Sequence, residues 1–237
     1  VKRLASVLAL VAGVAITSSA AAQVTISNGI SGDGEWQVAA LSGGGADTGN
    51  IDPTGATALE NVIYQYNFFV DPGTNGGGID LESTTSTAVH TIGTNVVQSS
   101  GSFTGPNGTI NWTAVGSIGA GSPVYQTTLS FSSTSQFGAV RVMGYLDEDV
   151  PSGSGNDNLV LVGTPGTSGF QLLTVDSVAN VGVAQTAGFS TATNATYVGW
   201  AARPYDDLEI AITGSGQTFS VPGVVTGLAS TTDARYP

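Results

Sequence analysis

Tyr64-Gln65-Tyr66-Asn67-Phe68-Phe69-Val70 places aromatic residues at alternate positions, so an extended backbone puts Tyr64, Tyr66 and Phe68 on one face. Rows of this kind are ordinary where two sheets pack, and the stretch therefore predicts a strand with its aromatic face in the core. Val124 to Ser132 repeats the pattern, with Tyr125, Thr127, Leu129 and Phe131 on one side. Outward from these two stretches, short β-branched and aromatic runs recur between clusters of Gly, Asn, Asp, Pro and Ser. They predict strands at 24–27, 35–40, 62–70, 89–99, 101–104, 109–114, 124–132, 139–146, 159–163, 170–175, 181–187 and 218–221. The expected fold is all-β, an antiparallel β-sandwich of jelly-roll or Ig-like type. One short helix is expected near the C-terminus over 204–213. There Pro204 suits the first turn, Asp206, Asp207 and Glu209 favour the positive end of the helix dipole, and Gly214 ends it. The glycine-rich stretches 42–55 and 71–78 predict mobile surface loops.

The first twenty-two residues, VKRLASVLALVAGVAITSSAAA, read differently. Lys2 and Arg3 give a charged start, 4–16 is apolar but short for a bilayer span, and Ala20-Ala21-Ala22 offers a small-residue cleavage site. This is the pattern of a secretory signal peptide over residues 1–22. It predicts cleavage before Gln23, a secreted or cell-surface location, and a single domain over 23–237 with no membrane span of its own.

After that segment the bases are Arg141, Arg203 and Arg235, and against seventeen acidic residues they leave a formal charge of −14. Such a surface repels phosphate backbones and excludes nucleic acid as a partner. Cysteine is absent, so burial, hydrogen bonds and bound cations are the remaining sources of stability.

The densest acidic feature is Asp147-Glu148-Asp149, followed by Asn156-Asp157-Asn158. Hard cations take six to eight oxygen ligands, and Asp147 and Asp149, on one side of an extended chain, with Asp157 form a candidate Ca²⁺ site. A solvated hairpin with Asp and Asn capping its turns accounts for the same residues. The spacing is not that of an EF-hand. The lone His90 sits in a Ser/Thr-rich strand with no nucleophile or carboxylate motif around it, which disfavours a hydrolytic triad and zinc. Trp36, Trp112 and Trp200 are available as sugar-stacking platforms. Tyr197, Trp200, Arg203 and Tyr205 form the candidate ligand-binding cluster, with packing against the short helix as the alternative.

The segments Arg141-Val-Met-Gly-Tyr-Leu-Asp-Glu-Asp-Val150, Gly163-Thr-Pro-Gly-Thr-Ser-Gly-Phe170 through Asp176, Val181 to Gln185, Tyr197 to Ala201 and Asp206 to Gly214 resemble a group of exported bacterial β-rich proteins of unknown function. That group often carries a PEP-CTERM sorting signal. The resemblance implies a β-rich domain bound for the cell surface or extracellular matrix, and it supplies no catalytic residues. The chain ends at Arg235-Tyr-Pro237 without Pro-Glu-Pro, an apolar span or a basic tail. It is expected either to be freely secreted or to be a C-terminally truncated piece of a longer protein.

These features lead first to a non-enzymatic exported β-sandwich protein whose partners are extracellular polysaccharide or other envelope proteins. A Ca²⁺-assisted carbohydrate-binding module is the second reading. A polysaccharide hydrolase or lyase using paired carboxylates is the third.

Overall fold

A computed structural model describes residues 22–52, 59–73, 77–136, 138–147, 157–162, 171–176, 181–186, 201–202, 210, 212–214 and 224–225. Over these residues the chain is all-β. The strands are β1 (Gln23–Ser27), β2 (Trp36–Leu41), β3 (Ala46–Ile51), β4 (Glu60–Ile63), β5 (Gln65–Asp71), β6 (Ile79–Asp80), β7 (Thr85–Gly93), β8 (Val96–Gly105), β9 (Gly108–Ile118) and β10 (Tyr125–Ser132). They continue with β11 (Arg141–Asp147), β12 (Asp157–Val162), β13 (Gln171–Asp176), β14 (Val181–Thr186), β15 (Ala201–Ala202) and β16 (Val224–Val225).

Two antiparallel sheets carry most of the described residues. In the first the order is β1-β2-β3-β5-β11, with β4 paired to β3 and β6 to β5; in the second it is β10-β9-β8-β7. A smaller antiparallel sheet joins β12, β13 and β14, and β15 pairs β16 in parallel.

Alternation along the strands explains where the core lies. In β9, Ile110, Trp112, Ala114 and Ile118 are buried, whereas Thr109 and Asn111, on the alternate face, are exposed. Inward residues of both sheets meet in two clusters. Trp36, Val38, Ala46 and Ile63 of the first sheet pack with Val89, Val97 and Ile118 of the second. Val70 packs with Phe103, Ile110 and Trp112. Tyr66 on β5 stands edge-on to Tyr125 on β10, ring centroids 6.4 Å apart at 82°.

β5 is covered on both faces. Tyr66 and Phe68 face the shared core, while Phe69 on the reverse face packs with Tyr145 and Ile212. The Phe69 and Tyr145 rings meet edge to face at 6.3 Å. Ile212 is anchored there by the Gly78 N–H, which donates to its C=O at 2.7 Å.

Four expectations change on contact with the structure. The expected strand 62–70 breaks at Tyr64, which is half exposed, into β4 and β5. The expected strand 89–99 is a hairpin turning at Thr94-Asn95; Asn95 adopts φ 54°, a left-handed conformation that Asn tolerates.

The loop expected over 42–55 is largely interior in its described part, 42–52. Ser42, Gly43 and Gly44 form a buried 3-10 turn, and β3 follows directly. Likewise Asp71, Pro72 and Gly77 are buried. Asp71 accepts the Gly73 N–H at 2.8 Å and faces Arg141 at 3.5 Å, which fastens that loop to β11.

Of the expected helix 204–213, only Ile210, Ile212 and Thr213 are described; they are helical, and the Gly214 N–H closes the turn onto the Ile210 C=O at 2.9 Å. The remainder of that segment, the expected strand 218–221 and residues 1–21 of the signal-like segment lie outside the described residues.

Candidate binding surface

The acidic and aromatic candidates are only partly described. Asp147 ends β11, half-buried, and its C=O accepts the Tyr64 N–H at 2.9 Å. Asp157 opens β12 opposite Asp176 of β13. Asp149, Tyr197, Trp200, Arg203 and Tyr205 lie outside the described residues. Among the described residues no three His, Asp or Glu side chains are placed to hold a metal ion. Trp36 and Trp112, expected as available platforms, are in the core at 5% and 1% exposure, so neither offers a face to a sugar. The Trp112 indole N–H donates to Thr84 Oγ1 at 2.9 Å. His90 is exposed on β7, with Nδ1 3.0 Å from the Ala88 C=O.

What the structure assembles lies elsewhere, on the outward face of the second sheet. Cross-strand partners run in rows across β8, β9 and β10: Ser102, Asn111 and Ser132; Ser100, Thr113 and Ser130; Gln98, Val115 and Thr128; Val96, Ser117 and Gln126. All are exposed or half-buried, while their sequence neighbours on the inward face are more buried. The register across these three strands is unbroken. Apart from Val96 and Val115, these positions carry hydroxyls and carboxamides, held about 4.5–5.5 Å apart between strands and about 7 Å apart along them. Such a lattice donates and accepts hydrogen bonds without presenting a net charge.

A signal for this surface stands in the sequence, where sequence reasoning missed it. From Ser83 to Val140 there is no Asp, Glu, Lys or Arg. In a chain of net charge −12, an interval of that length carries the whole of β7 to β10.

The buried glycine turn sets the position of this sheet. The Val89 N–H of β7 donates to Ser42 Oγ of the turn, and the turn's Gly43 N–H donates to Ser99 Oγ of β8, both at 3.1 Å. The Thr127 hydroxyl donates to the Gly44 C=O at 2.8 Å. At Gly44 φ is +85°, and a Cβ there would lie 2.8 Å from Ala114 and Thr127 carbons; a Cβ on Gly45 would run into the Tyr66 C=O. Only glycine lets the turn bridge the two sheets so closely. The Tyr125 hydroxyl is enclosed at the same place, 3.3 Å from the Gly44 and Gly45 C=O groups. Desolvation pushes its pKa up to about 12, against a smaller lowering by its hydrogen bond with Thr127.

Acids gather where the neutral interval begins. Glu82 lies close enough to Asp80 and Asp47 to feel their charge. Burial first, then those two carboxylates, raises its pKa above the ordinary value. No family model, curated protein or solved structure matches the chain.

Proposed function

We propose that the protein is an exported, non-enzymatic β-sandwich protein of the cell surface or extracellular matrix, with residues 23–237 forming one domain after removal of 1–22. The two clusters that draw side chains from both main sheets support the sandwich reading. The outward face of β8, β9 and β10 carries the functional one: an uncharged, regular array of hydroxyl and amide groups on a strongly acidic chain. Its chemistry suits a flat, neutral, hydroxyl-rich partner, and neutral extracellular polysaccharide is that partner class. Repulsion from the chain's net charge favours a neutral glycan over an anionic one.

Binding of the exported protein to neutral and anionic polysaccharides, with and without Ca²⁺, tests this reading. Expected are retention on neutral polysaccharide that survives chelation, and its loss when Thr113 and Ser130 are both changed to Glu. Binding that requires Ca²⁺ and ignores those two changes would move the function to the acidic loop around Asp147, as a Ca²⁺-assisted carbohydrate-binding module. Turnover of any polysaccharide, or retention of the chain in a membrane with Val1 still at its N-terminus, would overturn the reading.

A further inference from the structure

Among the described residues β10 is an open edge, and we propose that it pairs with β10 of a second copy of this chain, joining the two four-stranded sheets into one continuous sheet about a two-fold axis. Unpaired edges invite strand addition, and proteins blunt them with charges, prolines or bulges. The other edges of the two main sheets carry such devices or are short. β7 is broken by three register shifts against β8, β11 carries Arg141 and Asp147, and β1 spans five residues. β10 has eight residues with no charge, no proline and an unbroken register against β9, and its far side pairs with no described strand.

Hydrogen-bond direction fixes which groups are free to pair. The Ile118 N–H donates to the Asn95 C=O, so even-numbered residues of β9 bond towards β8 and odd-numbered ones towards β10. Each odd residue of β9 stands opposite an even residue of β10, as Ser117 does to Gln126. The backbones of Tyr125, Thr127, Leu129 and Phe131 therefore point to the open side. A two-fold axis through Thr128 uses all four. Tyr125 then meets Phe131 of the second copy, and Thr127 meets Leu129. On the outward face Thr128 meets its own counterpart, and Gln126 meets Ser130. Faces match in every pair, as a coplanar antiparallel sheet requires, and aromatic and Thr–Thr pairs are favourable across strands.

The self-matching register about Thr128 suits a second copy as the occupant, and the neutral edge is where two such chains can meet. Two chains of this acidity repel one another over most approaches. The strand pair along β10 itself joins only residues of the uncharged 83–140 interval. A closed, isologous dimer results, and it leaves no further β10 edge exposed.

Sedimentation of the exported protein over a range of concentrations tests the proposal. The parent is expected to form a dimer. Thr128→Lys sets two ammonium groups directly opposite and should weaken dimerisation by about tenfold or more. Because Thr128 is exposed on the outward face, the melting temperature of dilute, monomeric protein should change little and certify the fold. Gln126→Lys with Ser130→Lys should also give monomer. Gln126→Asp with Ser130→Lys places opposite charges across the axis and should keep the dimer, now weakened by salt. A parent that stays monomeric at every concentration, or a Thr128→Lys variant that dimerises like the parent, overturns the proposal. Equal dimerisation of the Lys/Lys and Asp/Lys variants overturns it as well. Gln126, Thr128 and Ser130 lie on the proposed glycan face, so polysaccharide binding is read on the unaltered parent: a parent that stays monomeric yet is retained on neutral polysaccharide overturns the dimer and leaves the glycan reading intact.

Discussion

The two main sheets share a core and differ in almost everything behind it. The first carries charged ends at Arg141 and Asp147, shifts register between Ala39 and Ala40 and between Gly49 and Asn50, and covers its reverse face at Phe69 with Tyr145 and Ile212. The second keeps one register through β8, β9 and β10, carries no Asp, Glu, Lys or Arg, and leaves its reverse face open among the described residues. A sheet covered on both faces is constrained by packing at every position. One covered on a single face needs only every second residue for the fold, and the alternate residues are released for contact with something else.

The largest test of that contrast lies at Phe69, on the reverse face of the first sheet. Phe69→Ala removes a nearly fully buried ring and should lower unfolding stability by ~3–5 kcal/mol, read from urea denaturation at constant m-value. Trp112→Ala, on the inward face of the second sheet, should cost a similar ~3–5 kcal/mol because Trp112 is 1% exposed. A loss at Phe69 of well under ~1 kcal/mol, no more than an ordinary surface substitution, would mean that the reverse face of the first sheet is not tightly covered. The contrast between the sheets would then fail.

Between the sheets, Ser99 probes the glycine turn that joins them. Ser99→Ala leaves the buried Gly43 N–H without its acceptor, which should cost ~1–3 kcal/mol. Ser99→Thr keeps a hydroxyl and should recover part of the loss if the added methyl fits.

This joint also shows what could be read in the sequence and what could not. The alternation at Tyr66 and Phe68, and at Tyr125, Leu129 and Phe131, was legible because a buried strand face writes itself as a period of two. The stretch Ser42-Gly43-Gly44-Gly45 was not. Glycine is the residue of exposed turns and equally of tight interior approaches, and composition does not separate the two. The reason for glycine here lies in Ala114, Thr127 and Tyr66, all distant in sequence. Tryptophan misled in the opposite direction: Trp36 and Trp112 suit a sugar platform by chemistry, yet burial claims them. For the candidate surface the signal was an absence of charge from 83 to 140, legible only to a reader counting what a stretch lacks. The acidic loop at Asp147 and the aromatic cluster at Tyr197 and Trp200 stand as proposals from sequence, since Asp149 and the whole aromatic cluster lie outside the described residues.

A smaller effect is expected at the border between charged and neutral regions. Glu82 holds its proton more tightly in the folded chain than in the unfolded one, through burial and then through Asp80 and Asp47. Below the ordinary carboxylate pKa both states are protonated and the group costs nothing. As pH rises through the ordinary value towards the raised one, the unfolded chain ionises first and stability falls. Glu82→Gln should therefore stabilise the protein at neutral pH and leave acidic behaviour unchanged. Glu82 keeps substantial contact with solvent, which screens the effect and holds it below ~1 kcal/mol. Destabilisation at neutral pH would reverse the sign and point to a stabilising partner for the carboxylate.

The smallest expected effect decides whether the second sheet's outward face is free. Thr113 sits in its central row between Ser100 and Ser130, the counterpart in the second sheet of Phe69 in the first. Thr113→Ala should change unfolding stability by no more than ~0.5 kcal/mol, because the side chain faces outward and its neighbours have water as an alternative partner. β-propensity alone favours Thr over Ala in a strand, and that sets the direction of the small loss. A loss of several kcal/mol would mean that another part of the chain rests on this face, which is then a second core and unavailable to a polysaccharide. A negligible loss in stability together with weaker retention on neutral polysaccharide is the combination the open face requires. Measuring both on the same variant separates a residue kept for folding from one kept for contact.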